Sequence, residues 1–482
     1  MFDKNKKFYI TTTLPYVNAD PHIGFALEII QADVIARYYR NNGFDVFFNT
    51  GTDEHGLKIY RKAQEEKIDP QKYCDIYAQK NKRLKEALNL SYDNFVRTTD
   101  ERHMSSAKEF WNRCYKNGDI YKKNYKIKYC VGCELEKTES ELINGKCPIH
   151  PNKEIEIIEE ENYFFKYSKY QKPLLEFYKK NKNFVIPESR FNEIKEFTKR
   201  GLEDFSISRL KEKMPWGAPV PNDEKHVMYV WFDALVNYIS CLEWPEKGKK
   251  FKDFWPGFQV AGKDNLRQQS SMWQAMLLSA GLPNSKQIFI HGFITANGQK
   301  MSKSLGNVIN PTELVEKYGT DAVRYYLLRE IPSTEDGDFT YEKFEQRYNS
   351  DLAGGIGNLV SRVVAMAVKL DCFAASAPRN DKLKKEIKKT EKQVEALLSE
   401  FKFHEALKVI WALISWCDKY INEAKPWEGK EGSEKAISDL LFSIETIGEL
   451  LQPFLPETSE KIKKALEEKK IGALFPRISS HI

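Results

Sequence analysis

The sequence has no long hydrophobic run, and this absence limits the classes of protein it can encode. No stretch of about 18 consecutive apolar residues occurs, so we predict no membrane-spanning helix. The first residues contain no apolar segment typical of a secretory signal peptide. Together these observations predict a protein of the cytoplasm.

Cysteine and net charge are also low. Only 8 of the 482 residues are cysteine, which excludes a small scaffold held by disulfides. Four of these residues stand alone in helical patterns and are predicted to be packed thiols: Cys74, Cys114, Cys241 and Cys417. The net charge is +6, from 75 basic and 69 acidic residues, so binding to a polyanion would depend on local basic patches.

The sequence does contain alternating strand and helix patterns. A helical pattern occupies 22–39, and strand patterns lie at 8–13, 45–49, 226–232, 258–262 and 287–291. A Lys-, Glu- and Tyr-rich segment at 115–215 interrupts this alternation, and only helical periodicity remains after about residue 350. We therefore predict an α/β fold, with a doubly wound, Rossmann-type parallel sheet, an inserted domain and a C-terminal α-helical bundle.

Two motifs at the ends of the sheet region suit phosphate binding. The segment 21–25, PHIGF, stands where the first strand leads into the first helix, so free N–H groups and His22 are predicted to face a phosphate while Gly24 allows close approach. The segment 300–304, KMSKS, combines two lysines with small hydroxyl residues and suits a mobile clamp over a developing pyrophosphate. The alternatives are a helix start with an incidental histidine and an ordinary surface turn.

Three cysteines and a histidine form a second signal. Cys130 and Cys133 are separated by thirteen residues from the pair Cys147 and His150. Four ligands in two close pairs predict one tetrahedral zinc ion, and a site with no open position is structural rather than catalytic. Free thiols or a disulfide are the alternative interpretation.

These motifs, with the segments 11–18 (TTTLPYVN), 229–234 (YVWFDA) and 291–294 (HGFI), carry a family resemblance. The sequence resembles the methionyl-tRNA synthetases, which are class I aminoacyl-tRNA synthetases, from residue 8 to its end. The resemblance implies an enzyme that activates methionine with ATP and Mg²⁺ and transfers it to tRNA(Met). It also implies five regions: a catalytic domain in two halves (1–114 and 216–310), a zinc-containing connective peptide (115–215), a stem-contact linker (311–350) and an anticodon-binding domain (351–482).

The resemblance assigns roles to individual residues. Catalysis would depend on His22, Gly24, Lys300 and Lys303. ATP would also contact Gly262, Asp264, His291, Ile294 and Ser302. Methionine would be bound by Leu14, Tyr16, Asp53, Arg209, Trp231, Ala234, Tyr238, Asn265 and Gln269, with Asp53 on the ammonium group. The anticodon would be contacted by Asn358, Arg362 and Trp427.

The sequence departs from the family pattern at three positions. Phe25 stands where a second histidine is usual, and a phenylalanine cannot donate to phosphate. Asn265 and Gln269 stand where isoleucine and histidine are common, so the pocket is predicted to be richer in amides. We expect altered catalysis or altered discrimination against homocysteine rather than loss of activity.

Two other functions remain open from the sequence. A different class I synthetase is one, although about a hundred inserted residues leave no room for the large editing domain of the leucine, isoleucine and valine enzymes. A non-catalytic tRNA-binding protein with a zinc knuckle is the other, and both phosphate motifs argue against it. Because the sequence ends soon after the helical region, a monomer is expected.

Overall fold

The structure, a computed structural model, describes residues 6–133, 135–137, 139–246, 248–301, 305–373, 380–470 and 472–479. The chain forms two compact units. Unit 1 comprises Met1–Pro21, Gly43–Arg83 and Tyr92–Ile290, and unit 2 comprises His22–Asn42, Leu84–Ser91 and His291–Ile482.

The described residues contain fifteen strands. They are β1 (Lys7–Thr12), β2 (Asp45–Thr52), β3 (Asn94–Arg97), β4 (Ile120–Cys130), β5 (Leu135–Lys137), β6 (Glu156–Phe165), β7 (Val185–Ile186), β8 (Phe205–Ser206), β9 (Ser208–Leu210), β10 (His226–Met228), β11 (Phe258–Gly262), β12 (Gln287–His291), β13 (Ile294–Ala296), β14 (Gln299–Lys300) and β15 (Gly337–Phe339).

Eighteen α-helices accompany these strands in the same described ranges. They are α1 (Ile23–Asn41), α2 (Leu57–Glu65), α3 (Pro70–Ala87), α4 (Glu101–Lys116), α5 (Gln171–Lys180), α6 (Glu188–Arg200), α7 (Val230–Ala234), α8 (Asn237–Ser240), α9 (Lys249–Phe254), α10 (Trp273–Ser279), α11 (Pro311–Tyr318), α12 (Thr320–Arg329), α13 (Tyr341–Arg347), α14 (Asn358–Lys369), α15 (Asp381–Ser399), α16 (Phe403–Ala424), α17 (Ser433–Leu451) and α18 (Pro456–Glu468).

The main sheet of unit 1 has the strand order β3-β2-β1-β11-β12-β7. The pairs β3–β2, β2–β1, β1–β11 and β12–β7 are parallel. The central strand β1 is buried from Phe8 onward, which explains its continuous β-branched and aromatic run. This arrangement, with the C-terminal helical bundle, confirms the predicted fold class. The short strand β7 joins the main sheet although it lies inside the segment predicted as an insertion.

The inserted segment also forms a sheet of its own, antiparallel, with the order β5-β4-β6-β8. A ladder of ten residue pairs joins β4 to β6. Lysines on β4 face glutamates on β6, as in the pairs Lys122–Glu161 (3.3 Å) and Lys126–Glu159 (3.8 Å). The Lys- and Glu-rich composition that marked this segment therefore supplies cross-strand ion pairs.

The strand expected at 226–232 is wrong for its second half. Only His226–Met228 forms a strand, β10, and it pairs with β9 rather than with the main sheet. The chain then turns into α7, because the carbonyl of Tyr229 accepts the first helical hydrogen bonds from Phe232 (3.0 Å) and Asp233 (3.2 Å). A short apolar run buried on all sides has no periodicity that separates a strand from a helix.

Unit 2 holds the helical bundle, whose helices α14–α18 bury apolar stripes at helical spacing. One continuous helical run, Tyr341–Lys369, is long and apolar enough to cross a membrane by length and composition alone. Half of its most apolar window is buried inside the protein, and core helices pass the same test. This run is therefore weak evidence for a membrane span.

Candidate active site

The loop after β1 and the end of β2 meet beyond the carboxyl edge of the main sheet. The backbone N–H of Asp53 donates to the carbonyl of Pro15 (3.0 Å), and the N–H of Val17 donates to the carbonyl of Asp53 (3.2 Å). This pairing brings the loop that carries Leu14 and Tyr16 beside Asp53, which is only 2% exposed. In parallel sheets this edge is where ligands bind.

Aromatic side chains form one wall of this region. The ring of Tyr16 meets that of Trp231 edge to face, with centroids 6.3 Å apart. Trp231 and Ala234 lie on α7, and Tyr238 lies on α8, where it is buried. The structure therefore brings Tyr16 and Trp231, two of the predicted methionine-binding residues, into direct contact.

Arg209 is held in a fixed position by two tyrosines. Its guanidinium carbon lies 4.6 Å from the ring centroid of Tyr229 and 5.2 Å from that of Tyr129. Its Nη1 donates to the hydroxyl of Ser206 (2.6 Å) and to the carbonyl of Ser208 (2.8 Å). Stacking and hydrogen bonds together immobilise this buried cation.

The two amide residues that depart from the family pattern have different surroundings. Gln269 is buried in the π-helical segment Gln268–Met272, where its Nε2 donates to the hydroxyl of Tyr238 (2.6 Å) and its Oε1 accepts from Gln259 (3.3 Å). Asn265 is half-buried and donates to Asp264 (3.3 Å), just beyond Gly262 at the end of β11. Gln269 is thus bonded to Tyr238, a predicted methionine-binding residue, and Asn265 to Asp264, a predicted ATP-binding residue.

The first phosphate motif forms the N-terminus of α1 in unit 2. The ring of His22 caps the helix, and its Nδ1 accepts from the N–H of Gly24 (3.0 Å). Because Nδ1 is an acceptor, the proton of a neutral ring sits on Nε2, which can donate to a phosphate oxygen. A Cβ at Gly24 would lie 2.8 Å from the His22 ring and 4.0 Å from the Met301 methyl group. The glycine is needed by the capping ring, and the two phosphate motifs approach each other here.

The second motif begins at β14, where Lys300 is exposed and pairs with Thr295. Ser302 and Lys303 lie outside the described residues. Ile294 is buried at the start of β13. His291, three residues earlier, is also buried, and both nitrogens of its ring have partners. Its Nδ1 donates to the carbonyl of Gly292 (2.7 Å), and its Nε2 lies 3.0 Å from a carboxylate oxygen of Glu28. The predicted contact of His291 with ATP would therefore use its backbone.

The four predicted metal ligands converge at the end of β4. The ligand atoms of Cys130, Cys133, Cys147 and His150 all lie within 4.8 Å of one another. The sulfur of Cys133 is 3.5 Å from that of Cys147 and 3.2 Å from Nδ1 of His150. A tetrahedral zinc ion holds its ligand atoms about 3.5–3.8 Å apart. The two separations around Cys133 are close to that range, so small side-chain movements would let these four residues hold one zinc ion.

Gly132 makes room for this cluster. A Cβ at that position would lie 2.5 Å from the ring of His150. The turn between the first two cysteines therefore requires a glycine so that the imidazole can reach its place.

The predicted anticodon residues lie on unit 2. Asn358 is exposed at the start of α14, and one turn later Arg362 donates to Asn422 on α16 (3.2 Å). Trp427 follows the end of α16 and is 44% exposed. An exposed tryptophan and an amide are groups that stack on and hydrogen-bond to unpaired bases.

Comparison with known proteins places these sites in one family. Residues 8–156 and 135–364 match the model of "tRNA synthetases class I (M)", and residues 381–478 match that of the "Anticodon-binding domain of tRNA ligase". A methionine–tRNA ligase of Thermotoga maritima is 44% identical over 96% of this chain and 76% of its own length. That of Thermosynechococcus vestitus is 43% identical over 94% of this chain and 89% of its own. The chain belongs to the methionyl-tRNA synthetase family.

Solved structures of the family agree with this assignment. A methionyl-tRNA synthetase of Mycobacterium tuberculosis in complex with methionyl-adenylate superimposes with a TM-score of 0.90 at 38% identity, covering 95% of this chain and 93% of that one. The apo form of the enzyme from the same organism gives a TM-score of 0.84 at 33% identity, covering 98% and 99% of the two chains.

Several residues of these sites in this methionyl-tRNA synthetase family member were not predicted from the sequence. Tyr129 and Tyr229, which enclose Arg209, gave no signal because their partner lies on a distant strand. Glu28 faces His291. The sequence signal that could have identified Glu28 is a carboxylate among the buried residues of α1. Phe25, by contrast, was recognised in the sequence as a departure from the family pattern. It lies half-buried in the first turn of α1, next to the fully buried Ala26 and Leu27.

Proposed function

We propose that this chain is a methionine–tRNA ligase that activates L-methionine with ATP and transfers it to the 3′ end of tRNA(Met). The observation that carries this proposal is the meeting of Asp53, Tyr16 and Trp231 at the carboxyl edge of the parallel sheet. An acidic group beside an aromatic wall suits an amino acid with an unbranched, polarizable side chain. The five regions expected from the sequence, with their boundaries, belong to the same proposal.

In the first step, the methionine carboxylate attacks the α-phosphorus of ATP, and the bond to the β-phosphate oxygen breaks to release pyrophosphate. The nucleophile is already anionic at neutral pH, so the protein needs no general base. His22, the free N–H groups of α1, Lys300 and Lys303 stabilise the charge that develops on the phosphates. Gly24 keeps the start of α1 open to the nucleotide, which Gly262, Asp264, His291, Ile294 and Ser302 also contact.

The methionine side chain lies in a pocket that Tyr16 and Trp231 form together with Leu14, Ala234 and Tyr238. Its ammonium group pairs with Asp53, and Arg209 contributes a fixed positive charge. Gln269 orients the hydroxyl of Tyr238. Asn265 lies at the edge of the pocket, where its amide donates a hydrogen bond to Asp264.

In the second step, the terminal ribose hydroxyl of the tRNA attacks the carbonyl of methionyl-adenylate, and AMP leaves. Selection of the tRNA uses Asn358, Arg362 and Trp427 on anticodon bases that are splayed out and stacked. The enzyme acts as a cytoplasmic monomer. The roles in tRNA selection are supported by the exposure of Asn358 and Trp427. They are also supported by the hydrogen bond and the ion pair that hold Arg362 beside α16.

Two metal ions accompany this function. Mg²⁺ would accompany ATP, and it would neutralise part of the phosphate charge. One zinc ion would be held by Cys130, Cys133, Cys147 and His150, and four protein ligands would leave no position for a substrate. Its role is to hold the turn that follows β4, so it contributes to folding rather than to chemistry.

The glycine at position 132 offers a test of the zinc site that leaves all four ligands in place. We expect Gly132→Ala to bind zinc at least tenfold more weakly, because its methyl group would overlap the ring of His150. Zinc per chain would be measured by mass spectrometry during titration with a chelator. Ile143→Ala, which shortens a side chain that is 63% exposed in the same knuckle, is the control. Equal zinc retention in the two variants would contradict the proposed site.

The proposed function is tested by amino-acid-dependent exchange of pyrophosphate into ATP. The assay is run with each of the twenty amino acids. We expect exchange with methionine and none with leucine or cysteine. Exchange with another amino acid would indicate a different class I synthetase. Absence of exchange with every amino acid, together with retained tRNA binding, would support a non-catalytic binding protein.

A further inference from the structure

A buried carboxylate in unit 1 lies between two buried histidines. Oδ2 of Asp233 is 2.6 Å from Nδ1 of His55, and its Oδ1 is 3.1 Å from Nε2 of His103. The other ring nitrogen of His103 is 3.0 Å from the hydroxyl of Ser240. All of these side chains are buried, and the proposed reaction uses none of them.

This cluster, defined as Asp233 with His55 and His103, connects both sides of the aromatic pocket. His55 follows Asp53 by two residues in the segment after β2. Asp233 lies on α7, next to Ala234 and two residues after Trp231. One carboxylate therefore fixes the position of α7 relative to the end of β2.

An isolated carboxylate at this depth would be costly, so its two partners matter. Burial alone would raise the pKa of Asp233, but the two imidazoles hold that pKa well below its usual value. The carboxylate is thus ionised and accepts from a ring N–H on each side. Charge-assisted hydrogen bonds of this kind are stronger and more directional than neutral ones.

We infer that Asp233 is a positioning residue for methionine recognition, acting through His55 and His103 to set the distance between Asp53 and the Trp231–Ala234 wall. This inference rests on the proposed function. Because none of the residues assigned to ATP or to catalysis belongs to this cluster, it should affect methionine binding selectively.

The test is a steady-state exchange assay on Asp233→Asn. The amide keeps the shape of the side chain, but its NH₂ group would face a ring N–H, so one of the two bonds is lost. We expect the KM for methionine to rise at least tenfold, while the KM for ATP and kcat stay within threefold of the wild type. A purely structural role would instead lower the active fraction and leave both KM values unchanged.

A second pair of variants keeps the inference testable if Asp233→Asn fails to fold. His103→Gln retains an N–H donor near the position of Nε2, whereas His103→Leu removes it. We expect His103→Leu to raise the KM for methionine and His103→Gln to restore most of the loss. Asp119→Asn is the control, because Asp119 is a buried carboxylate of unit 1 that bonds Lys169 and Tyr170 instead.

Two results would overturn the inference. One is an unchanged KM for methionine in Asp233→Asn and His103→Leu alike, and the other is an equal rise in the KM values for methionine and ATP. Both presuppose a wild type that exchanges with methionine. A wild type without methionine-dependent exchange would instead overturn the proposed function, and calorimetric titration of methionine would then decide whether Asp233 positions a binding pocket.

Discussion

Asp53→Asn should raise the KM for methionine about a hundredfold while leaving kcat nearly unchanged. Asp53 is nearly inaccessible to solvent, and its backbone is fixed by hydrogen bonds to Pro15 and Val17. Exchanging its carboxylate for an amide removes a charge without changing the shape of the site. A hydrogen bond to a charged group is worth about 1.5–3 kcal/mol, and loss of that amount weakens binding roughly 10- to 150-fold.

The effect should fall on KM because the ammonium group of methionine stays bound in both the ground state and the transition state. Uniform binding of this kind changes KM and leaves kcat alone. Methionine-dependent pyrophosphate exchange at several methionine concentrations measures both constants.

A ligand change provides the control for this prediction. The deaminated analogue of methionine lacks the ammonium group, so its inhibition constant should be the same for the wild type and Asp53→Asn. Asp75→Asn is the matched protein control, because Asp75 is half exposed and pairs with Arg97 at 2.6 Å. If Asp53→Asn weakened the analogue as much as methionine, Asp53 would not bind the ammonium group.

The sequence was sufficient for the parts of the fold in which periodicity is unambiguous. The strand at 8–13 and the helix at 22–39 differ from β1 and α1 by at most two residues at each end. The strand at 258–262 coincides with β11, and that at 287–291 with β12. The paired spacing of Cys130 and Cys133 with Cys147 and His150 likewise predicted a real cluster, because two ligands two or three residues apart can face one metal from a single turn.

The remainder depended on contacts between distant segments. The run 226–232 is too short and too evenly apolar to distinguish a strand from the helix α7. The tyrosines around Arg209 come from β4 and from the start of α7, and no local pattern links them to β9. The cluster of His55, His103 and Asp233 joins three segments in the same way.

The largest effect on stability is expected for Arg324→Met, which should lower the free energy of unfolding of unit 2 by about 3–5 kcal/mol. Arg324 on α12 is fully buried, and its Nη2 lies 2.8 Å from Asp33 on α1. Its guanidinium also donates to the carbonyls of Leu88 (3.0 Å), Pro453 (3.0 Å) and Phe454 (2.7 Å). The variant would leave three buried carbonyls and part of a buried carboxylate without a donor.

Differential scanning calorimetry should show this loss as a fall of about 10 °C in the melting temperature, at roughly 2–4 °C per kcal/mol. Arg61→Met is the matched control, because the Arg61–Glu156 pair is substantially exposed and should contribute less than about 1 kcal/mol. Burial alone would raise the pKa of Asp33, but Arg324 and Arg37 hold that pKa below its usual value. The ionised Asp33 therefore contributes fully to the free energy of unfolding above about pH 4, and this contribution is lost as the pH falls further. The stability of Arg324→Met should therefore fall less steeply in acid than that of the wild type. Equal melting temperatures for Arg324→Met and Arg61→Met would mean that the buried pair contributes no more than a surface one.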